Sequence, residues 1–449
     1  MVTPRSKHKT APQEHAPRKP SHSEEGAHFN DSPQLIYWLL ICISLLLGFN
    51  TISHLDGGIG DEDVHRYQIN WFINGQFEVF KYVTMIPSYH AVVAALAKLT
   101  GLTSLNGLRF VHLLFAASVI PVFYRLCSHF YPHQAQSRTL MLVFTPFLFP
   151  LFFLTYTDLP SLTFTLLMIE RSVKQDYRWA AVAAFGAVLL RQPNIMWVGF
   201  TLSLIALQTF QEHYGSNKAT GLRTAALQLF KREFITLYLR RSNGLIAVVM
   251  AFIAFVVING GVALGDAEQH PISFNLSNLY FFLLVSFALF LPFAVEQVPA
   301  IFQLLKHNVW ILALLAAGFA LYWYTYEHPH IYNRTELGWY RHNWLLHYTA
   351  DITAFRIVSF FPIAWMALSY VCAARKGSYN KQILLLIPFA LLSFVPLPLI
   401  EQRYYIVSLI LFLVFRPSLS RPASTLTLCY YMGLSAYILF NISRKTFFL

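Results

Sequence analysis

Apolar runs recur from residue 35 to the C-terminus, and any fold for this chain must first place them. A membrane span takes about 17–25 apolar residues. Runs of that kind stand near 35–53, 108–124, 139–156, 160–170 with its flanks, 179–190 extended by polar ends, and 193–210. Others lie near 243–264, 279–300, 308–325, 357–373, 382–400, 404–415 and 423–441. With 56% hydrophobic and only 12% charged residues among 449, the chain lacks the polar surface of a soluble protein this size. It reads as an all-α polytopic membrane protein of roughly 11 to 13 transmembrane helices, several of them interrupted by Pro146, Pro150 and Pro193.

Residues 1–34 differ: rich in His, Pro, Ser, Lys and Arg, they read as a disordered basic cytoplasmic tail ahead of one membrane domain, 35–449. The run 35–53 is too long for a signal-peptide core and lacks a small-residue cleavage site, so it is expected to be retained. Cys42, Cys127, Cys372 and Cys429 show no metal spacing and no disulfide framework. The net charge of +12 needs no nucleic-acid partner, because basic cytoplasmic loops account for it. With the tail inside and "IPSYHAVVAALAKLTGL" (86–102) read as a juxtamembrane helix of the first outer loop, the basic loops 125–138, 170–178 and 211–242 fall inside. Asp61–Asp63, "TYTDLPS" (155–161), Arg191, "NGGVALGDAEQH" (259–270), "EHPHIYNRTELGWYRHNW" (327–344) and "LIEQRYY" (399–405) then share the outer face.

Ionisable residues at span ends are costly unless hydrated, paired or in use, and six such clusters on one face point to a site. No phosphate-cradling Gly-rich loop, Gly-x-Ser-x-Gly elbow or His-Glu-x-x-His pair is present. Acids and arginines beside lipid suit transfer of a sugar from a lipid phosphate. The departing phosphate is already a stable anion and wants cations, for which Arg403 and Arg191 are candidates. The attacking hydroxyl wants a base, a role open to Asp61 or Glu62, and a single displacement inverts the anomeric centre. Tyr404 and Tyr405 fit an interfacial aromatic belt.

These motifs resemble the polytopic GT-C glycosyltransferases, and among them the dolichyl-phosphate-glucose-dependent α-1,2-glucosyltransferase family, which adds the terminal glucose of the lipid-linked N-glycan precursor. "DEDVH" (61–65), "YTDLPS" (156–161), "RQPNIMWV" (191–198), "NGGVALGD" (259–266) and "LIEQRYYI" (399–406) follow the family's order, whereas "VTMIPSYH" (83–90) and 327–344 depart from its pattern. The resemblance implies Asp61 as catalytic base with Glu62 beside it, and Arg403, supported by Arg191, as donor-phosphate contacts. His65, Asp158, Gln192, Asp266, Arg341, His342 and Glu401 are implied substrate contacts. It further implies a polyprenyl- or dolichyl-phosphate sugar donor as co-substrate, a glycan or lipid-linked oligosaccharide acceptor, no cofactor and no metal. The expected home is the endoplasmic reticulum membrane, or an inner membrane in a bacterium, with the active face luminal or periplasmic. The rivals are a transporter or flippase of a lipid-linked substrate, and a GT-C enzyme for mannose or arabinose.

Overall fold

The computed structural model describes residues 34–215, 227–269, 271–334, 343–375 and 379–447, and the regular elements among them are all helical. The tail expected over 1–34 thus lies outside the described residues, apart from Gln34. Lipid offers backbone groups no hydrogen-bond partner, so each crossing segment must satisfy its own, as a helix does. Helix α1 (Gln34–Ser53) delivers the chain to a turn in which Gly57 and Gly60 take φ of +85° and +59°, a region glycine enters without steric strain. There α2 (Glu62–Ile73) begins, and α3 (Ser88–Thr100) packs against it. Neither is among the helices long and apolar enough to cross a membrane. They are short helices of the first loop, and α3 buries Tyr89, His90, Val93, Ala94 and Ala97 along one face.

Helices α4 (Leu105–Ala117) and α5 (Val119–Phe130) run on as one apolar span, its start capped by the Ser104 hydroxyl accepting from the Gly107 amide at 3.1 Å. The expected span 139–156 is not one helix. It divides into α6 (Ala135–Val143) and a 3₁₀ turn, Phe149–Phe152, because Pro146 and Pro150 cannot donate to a helical ladder. Residues 141–160 are all buried, and irregular backbone at membrane depth is tolerated where protein covers it. That broken stretch ends at α7 (Asp158–Val173), which forms a hairpin with α8 (Tyr177–Leu190). After the break at Pro193 come α9 (Ile195–Tyr214) and α10 (Arg232–Asn259).

The second half holds α11 (Leu276–Leu289), α12 (Leu291–Glu296), and α13 (Val298–His307) bent by 107° against α14 (Trp310–Thr325). Then follow α15 (Trp344–Asp351), α16 (Thr353–Arg375), α17 (Asn380–Phe394), α18 (Ile406–Phe415) and α19 (Arg421–Ser443). Among the described residues six helical spans have the length and apolarity to cross a membrane: α1, α4 with α5, α9, α10, α16 and α19. Several other expected passes are shorter apolar helices, such as α8, α11 and α17, or the bent α13–α14 pair. The chain is an all-α polytopic membrane protein. Its last helix ends where its first one does, since the Lys445 ammonium donates to the Asp56 carbonyl at 2.8 Å.

One buried ion pair fixes the turn after α1. Arg109 donates through Nε to Glu62 Oε1 at 2.9 Å and through Nη2 to Oε2 at 2.8 Å, with both side chains fully buried. Its remaining hydrogens reach the carbonyls of Ile52, Leu55 and Gly57 and the Asn106 side chain, tying α1, α2 and α4 together. Removing one partner of such a pair leaves an uncompensated buried charge, at a cost of about 3–5 kcal/mol. Arg109→Met should therefore lower the thermal unfolding midpoint of the purified protein sharply, and adding Glu62→Gln should restore part of the loss. A single variant melting with the wild type would refute this role.

Candidate functional site

The turn that ends at Asp61 meets the broken stretch before α7 and the 3₁₀ turn Gln402–Tyr405 before α18. An Asp in front of a helix commonly caps it through its carboxylate. Asp61 does not; it accepts from Arg403 Nη2 at 2.6 Å, across 342 residues of sequence. Arg403 Nε also donates to Glu401, and Nη1 stands 3.9 Å from Asp158 Oδ2. Asp158 in turn accepts from Arg191 Nη1, so among the described residues three carboxylates and two guanidiniums form one ionic cage.

Tyr156 supports the cage from below. Its ring lies 5.1 Å from the Arg403 guanidinium carbon, a cation–π distance. Its hydroxyl donates to the Ile59 carbonyl at 2.9 Å and accepts from the Asp61 amide at 2.7 Å, fixing the backbone that carries the acid. Exposure separates the carboxylates: the Asp61 side chain is 30% exposed, Glu401 10% and Asp158 2%. Asp61 is the one with access to a bound molecule.

Glu62 stands elsewhere. Besides Arg109 it accepts from the amides of Ile59 and Thr155, both at 3.1 Å, and from the Thr155 hydroxyl at 3.2 Å. A carboxylate so fully occupied and buried holds the turn, and has no lone pair left for a substrate proton.

His65 lies on α2 one turn past Asp61, buried, with Nδ1 2.9 Å from Nε2 of His90, also buried. Gln192 bridges outward, donating to the carbonyls of Val262 at 3.2 Å and Thr84 at 3.4 Å. It thus joins the start of α9 to the strip formed by 83–84 and 264–265, where the Gly265 amide donates to the Val83 carbonyl at 3.0 Å. A Cβ on Gly265 would stand 2.5 Å from the Lys81 carbonyl oxygen, so only glycine fits there. Asp266, next in sequence, accepts from the Tyr332 hydroxyl at 2.9 Å. Arg341 and His342 lie outside the described residues. Tyr405 corrects an expectation: it is fully buried and donates to Asn278 Oδ1 at 2.7 Å, so it belongs to the core and not to an interfacial belt.

The model of the DIE2/ALG10 family matches residues 58–414. The chain belongs to that family. Among similar proteins, one from Mus musculus is 24% identical over 416 residues, covering 82% of this chain and 85% of its own length. A Homo sapiens protein is 23% identical over 435 residues, covering 87% and 89%, and an Arabidopsis thaliana one 26% identical over 370, covering 65% and 69%. Each carries the name Dol-P-Glc:Glc(2)Man(9)GlcNAc(2)-PP-Dol alpha-1,2-glucosyltransferase. No solved structure matches this chain. The family match takes in the whole cage, from Asp61 to Arg403.

Sequence reasoning missed Arg109 and His90 within this family region. The signal for Arg109 was there, a cation inside an apolar run where charge is expensive without a partner. His90 stood in one of the two segments that depart from the family pattern, so no motif drew attention to it.

Burial pushes the His65 ring down from the ordinary 6.5 to about 4, against the raising influence of Asp61 and Asp158, while Arg403 and Arg191 push it down further. Burial, with His65 beside it, lowers His90 too. The unfolded chain binds protons near pH 6.5 that the folded one refuses, so the neutral rings stabilise the fold fully above that pH. The contribution of His65 is lost as pH falls toward about 4. Thermal midpoints measured across this window should drop less for His65→Gln than for wild type; parallel curves would refute the assignment.

Proposed function

We propose that this chain transfers glucose in α-1,2 linkage from dolichyl phosphate glucose to a lipid-linked oligosaccharide, with the Asp61–Arg403 cage as the reaction centre. The carrying observation is the pairing of one accessible carboxylate with a buried guanidinium, inside a family whose named relatives catalyse that transfer. A phosphate entering the cage takes up Arg403 and Arg191, and Arg presents the planar donor fork that phosphate oxygens match. The acceptor hydroxyl gives its proton to Asp61 as its oxygen bonds to the anomeric carbon. The bond from that carbon to the phosphate oxygen breaks, and its electron pair leaves on dolichyl phosphate. One such displacement inverts the centre, so an α product calls for a β-linked donor.

Within this reading Glu62 is a positioning residue, held by Arg109 so that Asp61 is presented correctly. Asp158 and Glu401 orient the guanidiniums. The donor is a co-substrate, and the proposal assigns no metal or cofactor to the reaction. We place the enzyme in the endoplasmic reticulum membrane with the cage on the luminal face, supported by the basic character of the loops at the other ends of the spans.

The test is single-turnover transfer by purified protein in nanodiscs, offered dolichyl phosphate glucose or dolichyl phosphate mannose and a lipid-linked oligosaccharide. Glucose alone should be transferred. Asp61→Asn should slow transfer by about 10²–10⁴-fold with its melting point retained, the range typical of a lost general base. Transfer of mannose in place of glucose would overturn the donor, and an Asp61→Asn variant within a few-fold of wild type would overturn the base.

A further inference from the structure

A second cluster of chemistry-bearing side chains shares no residue with the cage. His347 and Asp351 are four residues apart on α15 and therefore project from one face of that helix. His328 reaches them from the segment that follows α14. Asp351 Oδ1 lies 2.7 Å from His328 Nε2, and Oδ2 lies 2.8 Å from His347 Nδ1. The two rings meet edge to face with centroids 4.7 Å apart. One ligating atom from each of the three residues lies within 4.8 Å of the other two.

Hydrogen bonding alone does not satisfy this group. The remaining nitrogens, His328 Nδ1 and His347 Nε2, are buried without a partner. A carboxylate between two imidazoles is also the donor set that divalent transition metals favour. The rings are mostly covered and the carboxylate is half exposed, with side-chain exposures of 14%, 13% and 51%, so an ion has a way in from solvent.

We propose that His328, His347 and Asp351 form a divalent metal site, best suited to zinc, in which both imidazoles ligate through the nitrogens that face Asp351 and the Asp351 carboxylate ligates beside them. Two histidines and a carboxylate leave one tetrahedral position for water. The site would act as a clip. The segment it would hold continues to Asn333, which donates to the Ile400 carbonyl at 2.9 Å and accepts from the Ile400 amide at 3.0 Å. Helix α15 is capped by Asn343, whose side chain also donates to Gln402 Oε1 at 3.2 Å. The ion thus joins two pieces that hold Ile400 and Gln402, the residues on either side of Glu401, without touching the reacting groups.

The experiment uses the full chain carrying a histidine-free tag, in nanodiscs, stripped with chelator and titrated with Zn²⁺ by calorimetry and with Co²⁺ by visible absorption. The sequence holds 17 histidines, so the reading is the difference between wild type and variants. Wild type should bind one equivalent that His328→Ala and His347→Ala each weaken at least tenfold, and Zn²⁺ should raise only the wild-type melting point. Equal uptake by wild type and the double variant would overturn the site. Wild-type protein giving no Co²⁺ absorption band of a nitrogen-ligated ion would overturn it too, whether or not the variants fold. Metal uptake is read without turnover, so this outcome is independent of the reaction proposed above.

Discussion

Arg403 is buried with Asp61, Asp158 and Glu401 around its guanidinium and the Tyr156 ring beneath it, and a cation in that position needs anionic partners. Among the described residues, three carboxylates face the two guanidiniums of Arg403 and Arg191. A phosphate arriving there must compete with a carboxylate for the cations. Asp61, the most exposed of the three, is the one best placed to yield. In the proposed reaction that exchange couples donor binding to readiness of the base: Arg403 passes from Asp61 to the phosphate, and Asp61 turns to the acceptor hydroxyl.

The fold serves this exchange by division of labour. Regular helices supply rigid walls, and apart from Arg191, at the break between α8 and α9, the cage is carried on three irregular joints: the glycine turn before α2, the proline-broken stretch before α7, and the 3₁₀ turn before α18. Each joint is then fixed by its own buried polar contact. Arg109 with Glu62 fixes the first, the Tyr156 hydroxyl links the first to the second, and Tyr405 with Asn278 fixes the third. Chemistry on loops held by a rigid scaffold is a common solution.

Much of this was legible in the sequence, for identifiable reasons. Long apolar runs have few physical solutions, so the polytopic helical class followed from hydropathy alone, and motifs such as "DEDVH" and "LIEQRYYI" carried the family. That Asp61, Asp158, Arg191, Glu401 and Arg403 belong to one face followed from counting crossings. Which of two adjacent acids would be the more exposed did not follow. Asp61 and Glu62 are chemically alike in sequence, and only the partner Arg109, 47 residues away, separates them. Hydropathy likewise reads residues 139–156 as a span because it is blind to what Pro146 and Pro150 do to a hydrogen-bond ladder. Tyr405 looked interfacial for lack of any sign that Asn278 would receive its hydroxyl.

Equilibrium binding of dolichyl phosphate glucose to Asp61→Asn protein in nanodiscs, without acceptor, tests the exchange at Arg403 most directly. If Asp61 competes with the donor phosphate for that guanidinium, removing its charge tightens donor binding relative to wild type. Donor binding that is unchanged or weaker in Asp61→Asn would contradict the exchange and leave Arg403 as a purely structural cation.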